Sequence, residues 1–378
     1  MKSNVNVRTM VRGAYDMQKL RIQMGNRIVG NFKAKLGQEP SSPEEELSDD
    51  AKKILTDLRN SYKKITDGVK GLPKLKDFKG DEVISTFTEL CLVAQYLEIE
   101  KSEDDHFKRL GMILGEYPIY TEFLSKVKGI GPSLAGVIVS EIDIEKSRHP
   151  SSLWAYAGLD VASKWEYVTH ELLGATTKVD DMPEFPMPQE YARLPQADGG
   201  GPIEIDGFRY EIAYVTDCQP IQSILHIQKG AWSVKATYKF VDLGARSRRK
   251  EHLVERDYTA ADGTIKKRLS ITFNPFLKTK LMGVMASSFL RAGNETYRKI
   301  YDDYKFRLQN HHKYGELNDG KKDDAGKIVT SKARRNQMAL RYMVKRFLVD
   351  LYVAWRGLEG LPISKEYAEA KLGMKHGG

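Results

Sequence analysis

The segment GARSRRKEHL sets Ser247 among Arg246, Arg248, Arg249 and Lys250, with His252 close behind. A serine hydroxyl can attack phosphorus when cationic groups hold the charge that builds on the phosphoryl oxygens. Arginine suits that task because its planar fork matches a phosphate. Ser247 is therefore the candidate nucleophile, with Ser163 and Ser270 as alternatives. The same residues also describe a loop that binds phosphate and does no chemistry. In that reading His252 is a ribbon residue or a phosphate contact.

A second block reads SKVKGIGPSLAGVIVSEI. Gly129 and Gly131, one residue apart, allow a tight backbone turn where side chains would clash. Ile130 between them points inward and pins the turn. Pro132 suits the first turn of a following helix, whose free amides can hold a phosphate oxygen. Ala135, Val137, Ile138 and Ile142 form the buried face of that helix, and Lys126 and Lys128 bring charge to the bend. The pattern is a helix-hairpin-helix, which grips a nucleic-acid backbone without reading sequence. Its candidate contacts are Lys126, Lys128, Gly129, Ile130, Gly131 and Ser133. An ordinary tight turn between two helices is the competing reading.

The 378 residues that must position these groups allow two or three domains, and a hydrophobic content of 41% predicts a mostly globular chain. The net charge of +9 permits polyanion binding. Its distribution says more. Residues 1–160 are neutral, 161–242 carry −5 and 243–378 carry +14. The basic surface thus belongs to the last third, which adds Lys266, Lys267 and Arg268 to the candidate phosphate contacts. Cys91 and Cys218 are too few for a disulfide framework or a zinc site, and neither a metal nor another cofactor is expected. No apolar run approaches the ~20 residues of a membrane span, and the first residues lack a signal peptide's apolar stretch. A cytoplasmic protein without membrane contact is expected.

The periodicities predict helices over 7–36 and 51–69, the latter capped by Ser48, then over 81–100 with another to 114. Residues 161–242 alternate polar and apolar in IEIDGFRYEIAYV, SILHIQ and WSVKATYKFV, with a turn at Asp206-Gly207, a proline cluster at 182–188 and glycines at 198–202. HLVERDY and TIKKRLSIT predict a two-stranded ribbon around Ala261-Asp262-Gly263. A last helix over 333–358 buries Leu340, Val344, Phe347, Leu351 and Trp355. Trp154 and Tyr156 are expected to pack the hairpin. The fold class is mainly α with an inserted β-rich subdomain: a helical stalk, a helix-hairpin-helix core and C-terminal helices. The expected regions are 1–120, 121–160, 161–242 and 243–378. Tyr297, Tyr301 and Tyr304 read as core, and His311-His312 as a solvated helix end.

The run KGIGPSLAGVIVSEI followed by SSLWAYAGLD resembles the C-terminal domain of the IS one-ten family of insertion-sequence transposases. GTIKKRLSITFNPFLKTKLMGV and ARRNQMALRYMVKRFLVDLYVAWR resemble that family's basic segment and closing arginine-rich helix, and KLRIQMGNRIV the helix joining its two domains. The resemblance implies a serine-type DNA recombinase that acts by strand cleavage and rejoining, with DNA, a guide RNA and further copies of itself as partners. It covers about residues 15–36, 120–160 and 243–360. The family's RuvC-like domain, which holds metal ions, has no counterpart here. Residues 161–242 interrupt the place where its nucleophilic serine would fall. With that insertion removed, Ser247 follows AGLD. The alternative is a non-catalytic DNA- or RNA-binding protein derived from a transposase.

Overall fold

The computed structural model describes residues 4–38, 47–172, 203–205, 207–215, 222–230, 232–322, 326 and 328–365. The chain divides into two compact units, 1–142 and 143–378. The division falls inside the 121–160 block, so the glycine bend belongs to the first unit and SSLWAYAGLD to the second. The fold is mainly α with a β-rich region.

In the first unit, α1 (Asn4–Lys35) runs antiparallel to α3 (Phe87–Leu114). The pairs Tyr15–Phe107, Arg21–Glu103 and Lys35–Glu89 mark that register. α2 (Asp49–Ile65) packs on both, closing an apolar cluster that includes Ile28, Leu55, Leu58, Leu90 and Tyr96. Ser48 caps α2 as expected, its Oγ accepting the Ala51 N–H at 3.2 Å. The two helices expected over 81–114 are one. Residues 81–86 stay out of it because the Asp81 carboxylate accepts the Val83 and Ile84 N–H groups, a local turn that competes with helix. Thr86 and Glu89 then form a reciprocal capping box. No glycine or proline breaks the chain before 111, and Arg21 neutralises the buried Glu103 midway.

The short α4 (Pro118–Glu122) and a 3₁₀ turn lead through the glycine bend into α5 (Pro132–Glu141). The sequence predicts one buried face for α5, but every residue from Leu134 to Ile142 is buried. Small side chains let α1 and α3 close on it. A Cβ at Gly136 would lie 2.8 Å from Leu110 Cδ2 and 3.0 Å from Val11 Cγ2. At its far end the fully buried Glu141 side chain receives Arg12 at 2.6 Å and Arg8 at 3.3 Å.

The second unit begins with α6 (Pro150–Tyr156), which lies against the long α10 (Lys332–Leu358). Trp154 donates its indole N–H to the Lys345 carbonyl at 3.2 Å. Trp154, expected to pack the hairpin, is thus buried against the C-terminal helix of its own unit. Tyr156 is exposed. The buried Arg356 guanidinium donates to the Ile144, Ser147 and Pro362 carbonyls and ties the start of the unit to the end of α10.

Five antiparallel strands follow: β1 (Val161–Leu172), β2 (Ile203–Ile205), β3 (Phe208–Val215), β4 (Gln222–Lys229) and β5 (Trp232–Ala245), in the order β1-β5-β4-β3-β2. Tyr210, Ile227 and Val234 stand opposite one another on one face and are buried. Glu211, His226 and Lys235 occupy the alternate positions. That is the half-buried alternation the sequence shows. Ile205 pairs with Phe208 around Gly207 (φ +75), although Asp206 lies outside the described residues. So do Cys218 and the proline and glycine clusters at 182–188 and 198–202.

A separate ribbon, β6 (Leu253–Thr259) with β7 (Ile265–Ile271), turns at Gly263 (φ +80). The helical remainder comprises α7 (Pro275–Thr279), a π-turn, α8 (Ala286–Arg291), α9 (Glu295–Gln309) and α10. All five residues of the expected stripe on α10 are buried. Tyr297 stacks on Phe289, and its hydroxyl donates to Asp350; burial and that carboxylate hold the phenol protonated far above its ordinary range. Tyr301 is also core, while Tyr304 stacks on Tyr342. Arg335, 3% exposed, forks onto Asp319 and shapes the loop before α10. His311 Nδ1 accepts the Lys313 and Tyr314 N–H groups and so serves the turn after α9. No helix among the described residues is long and apolar enough to cross a membrane.

Gly136→Val should destabilise the first unit by about 1–3 kcal/mol through overpacking. A urea melt with an unshifted midpoint would show that α1, α3 and α5 do not meet as closely as described.

Candidate functional site

The β-sheet leaves and rejoins the helical part of the second unit through a neck one residue wide. Val161 pairs with Ala245, and the Arg246 N–H donates to the Asp160 carbonyl at 3.3 Å. The Arg246 side chain completes the closure. Its Nε donates to Asp160 Oδ1 at 2.7 Å and its Nη1 to the Thr272 hydroxyl. Ser247 thus follows AGLD in space, although 86 positions separate Asp160 from Arg246 in sequence.

Two more cations gather at the neck. Lys278, on α7, donates to the Arg246 carbonyl at 2.7 Å, one peptide bond from Ser247, and its ammonium lies over the Phe273 ring at 4.6 Å. The AGLD turn makes room for both. Gly158 adopts φ +66, and a Cβ there would fall 2.7 Å from Phe273 and 3.2 Å from Lys278 Cδ. Arg341, on α10, is the third cation. Its Nε is buried with no hydrogen-bond partner among the described residues. Burial, and then the Arg341 charge, hold the Lys278 ammonium below its ordinary value against the pull of Asp160. Burial likewise lowers Arg341, again against Asp160. Arg246 alone is paired with Asp160, and Lys278 and Arg341 stand half-buried near that pair with no salt bridge of their own among the described residues. Chemically, that arrangement is short of an anion.

The expected site residues separate into groups. Arg246 is an internal clamp. Arg248, Arg249 and Lys250 are exposed just beyond it. Ser247 is half-buried, and its Oγ accepts the Arg249 N–H at 3.2 Å, which leaves its proton free to be donated. His252 is 8% exposed, with an unpartnered Nδ1, and no hydrogen bond among the described residues joins it to Ser247. Ser163 lies on β1 opposite Asp242, and Ser270 on β7 opposite Val254. Lys266 and Arg268 share one face of the ribbon and Lys267 takes the other, because strand side chains alternate.

The hairpin residues belong to the other unit. Gly129 takes φ +101, a conformation suited to glycine. Ile130 is buried as expected, and Gly131 is exposed with open space where a Cβ would stand. Lys126 is exposed and bridges to Glu122 at 3.0 Å. Lys128 is also exposed, while Ser133 is hydrogen-bonded to the Tyr15 phenol. The expected first helical limb is reduced to α4 and a 3₁₀ turn.

Asp160, Thr272, Lys278 and Arg341 were not among the candidates from sequence. Asp160, Lys278 and Arg341 do fall within WAYAGLD, NPFLKTKL and ARRNQMALRYMVK, segments that carry the family resemblance. No protein-family model, curated protein or solved structure matches this chain.

Arg341→Met should raise the melting temperature of the free protein, because it removes a crowded charge and a buried unpaired N–H. It should also reduce the salt slope of polyanion binding by about 1. An unchanged slope would take Arg341 out of the site. For Lys278 the native state releases its proton before the unfolded chain does. Stability should therefore rise with pH in the window just below 10.5, the ordinary lysine value. Lys278→Met should abolish that rise in a pH series of urea melts.

Proposed function

We propose that the chain is a transposase-like DNA-binding protein that holds the sugar–phosphate backbone with the basic part of its second unit. One observation carries this reading: beside the Asp160–Arg246 ion pair stand Lys278, which donates to the Arg246 carbonyl, and Arg341, whose Nε is buried with no hydrogen-bond partner among the described residues. The exposed Arg248, Arg249 and Lys250 extend the positive charge outward from that point. The glycine bend of the first unit, with Gly131 exposed at the start of α5, offers a second sequence-independent backbone contact. A guide RNA, a second copy of the chain and a cytoplasmic setting accompany the reading through the resemblance to insertion-sequence transposases.

A second reading, strand cleavage by Ser247, has one specific observation behind it. The hydroxyl stands beside the cationic neck and keeps its proton available. In that reading the Ser247 oxygen forms a bond to phosphorus, the bond from phosphorus to the sugar oxygen breaks, and the serine proton passes to that leaving oxygen. The geometry favours binding over cleavage, since no base is hydrogen-bonded to Ser247 among the described residues.

Duplex DNA should bind with steep salt dependence. For about six phosphate contacts, affinity falls by about a thousandfold between about 50 and 200 mM salt. Binding indifferent to salt would argue against the proposal. Incubation with supercoiled DNA, followed by denaturing gels, tests the second reading. A covalent adduct that disappears in Ser247→Ala would support it, and one that persists would remove Ser247 as nucleophile.

A further inference from the structure

The ribbon β6–β7 stands out from the rest of the second unit by how little it buries. From Glu255 to Leu269 only Tyr258 and Ala260 are even half-covered. Its two faces differ sharply. Residues directly opposite on antiparallel strands share a face, and faces alternate along each strand. One face carries Glu255 opposite Leu269, Asp257 opposite Lys267 and Thr259 opposite Ile265. Charges there balance to within one unit. The other carries Arg256 opposite Arg268 and Tyr258 opposite Lys266. It holds three cations and no strand carboxylate. Arg268 lies over the Tyr258 ring at 5.0 Å, and Lys266 reaches only the turn residue Asp262, at 3.4 Å.

Like charges placed directly across a strand pair destabilise it. Arg256 and Arg268 form such a pair, with no buried apolar surface beneath to compensate. A fold keeps that arrangement at little cost only if something negative covers the face.

We infer that the Arg256, Tyr258, Lys266 and Arg268 face of the ribbon docks in the major groove of duplex DNA. The inference rests on the DNA-binding reading above and assigns the ribbon a role within it. Dimensions agree. Two strands about 4.8 Å apart, seven residues long at about 3.3 Å each, make a rod about 20 Å long. The major groove of B-DNA, about 12 Å wide, admits such a two-stranded ribbon. The A-form RNA groove is too deep and narrow for side chains to read. Arginine pairs bidentately with guanine O6 and N7 in that groove, and the groove walls supply the phosphates that relieve the Arg256–Arg268 repulsion.

The test compares the full chain with Arg256→Glu/Arg268→Glu, and with Arg256→Gln/Arg268→Gln as a milder pair. The Gln pair should melt no lower than the parent, since the positions are exposed and the native pair is repulsive, and the Glu pair, which replaces one like-charge pair by another, should melt close to the parent. Duplex DNA affinity should fall at least tenfold in the Glu pair and less in the Gln pair. Guanine N7 should be protected from dimethyl sulfate by the parent and not by the Glu pair. Unchanged affinity and protection in the Glu pair would overturn the ribbon assignment, as would equal parent affinity for duplex RNA of the same sequence. A parent chain that binds no duplex at low salt would instead overturn the DNA-binding reading itself.

Discussion

The second unit is organised by the ion pair between Asp160 and Arg246. It closes the neck of a β-sheet that begins at Val161 and ends at Ala245. The sheet could be spliced into a helical framework only if its two ends return to the same point, and the backbone bond from Arg246 to Asp160 shows that they do. Each partner then constrains a neighbour. Asp160 extends the AGLD turn, where Gly158 admits Phe273 and Lys278. Arg246 reaches Thr272 with its side chain and Lys278 with its carbonyl. A single partly covered pair thus registers β1, β5, the start of α7 and the segment carrying Ser247.

That pair also explains why the surrounding charge is unbalanced. One carboxylate is committed to one arginine, yet Lys278 and Arg341 stand close enough for their charges to act on it and on each other. A protein selected for stability alone would place an apolar residue at one of these positions, since a partly buried cation without a partner is costly. Retaining all three fits an anion that arrives from outside. The ribbon repeats the logic in the open, with two arginines facing across strands and no strand carboxylate on their side.

The first unit depends on a different constraint, close approach of helix backbones. α5 is buried all round, and Gly136 is where α1 and α3 reach it. The glycine bend precedes that buried helix, with Ile130 anchored inside and Gly131 left at the surface. The buried helix fixes the direction of its first-turn amides, which is what the proposed backbone contact at the bend would need.

Much of this was legible from residue order alone. Ser48 as a cap, the apolar stripe of α10, the alternation of the sheet and the glycine turn of the ribbon all follow from rules acting over a few residues, and each is present. The break expected near Glu100 was not found: α3 runs through it, and Arg21 from another helix pairs with Glu103 there. Trp154 was expected in the hairpin and lies on α10. The cations Lys278 and Arg341 were invisible as a site for the same reason. Periodicity and capping are local, and the residue types of a chain state them directly. Which carboxylate meets which cation across 86 positions depends on where strands close and helices cross, and only the folded chain decides that.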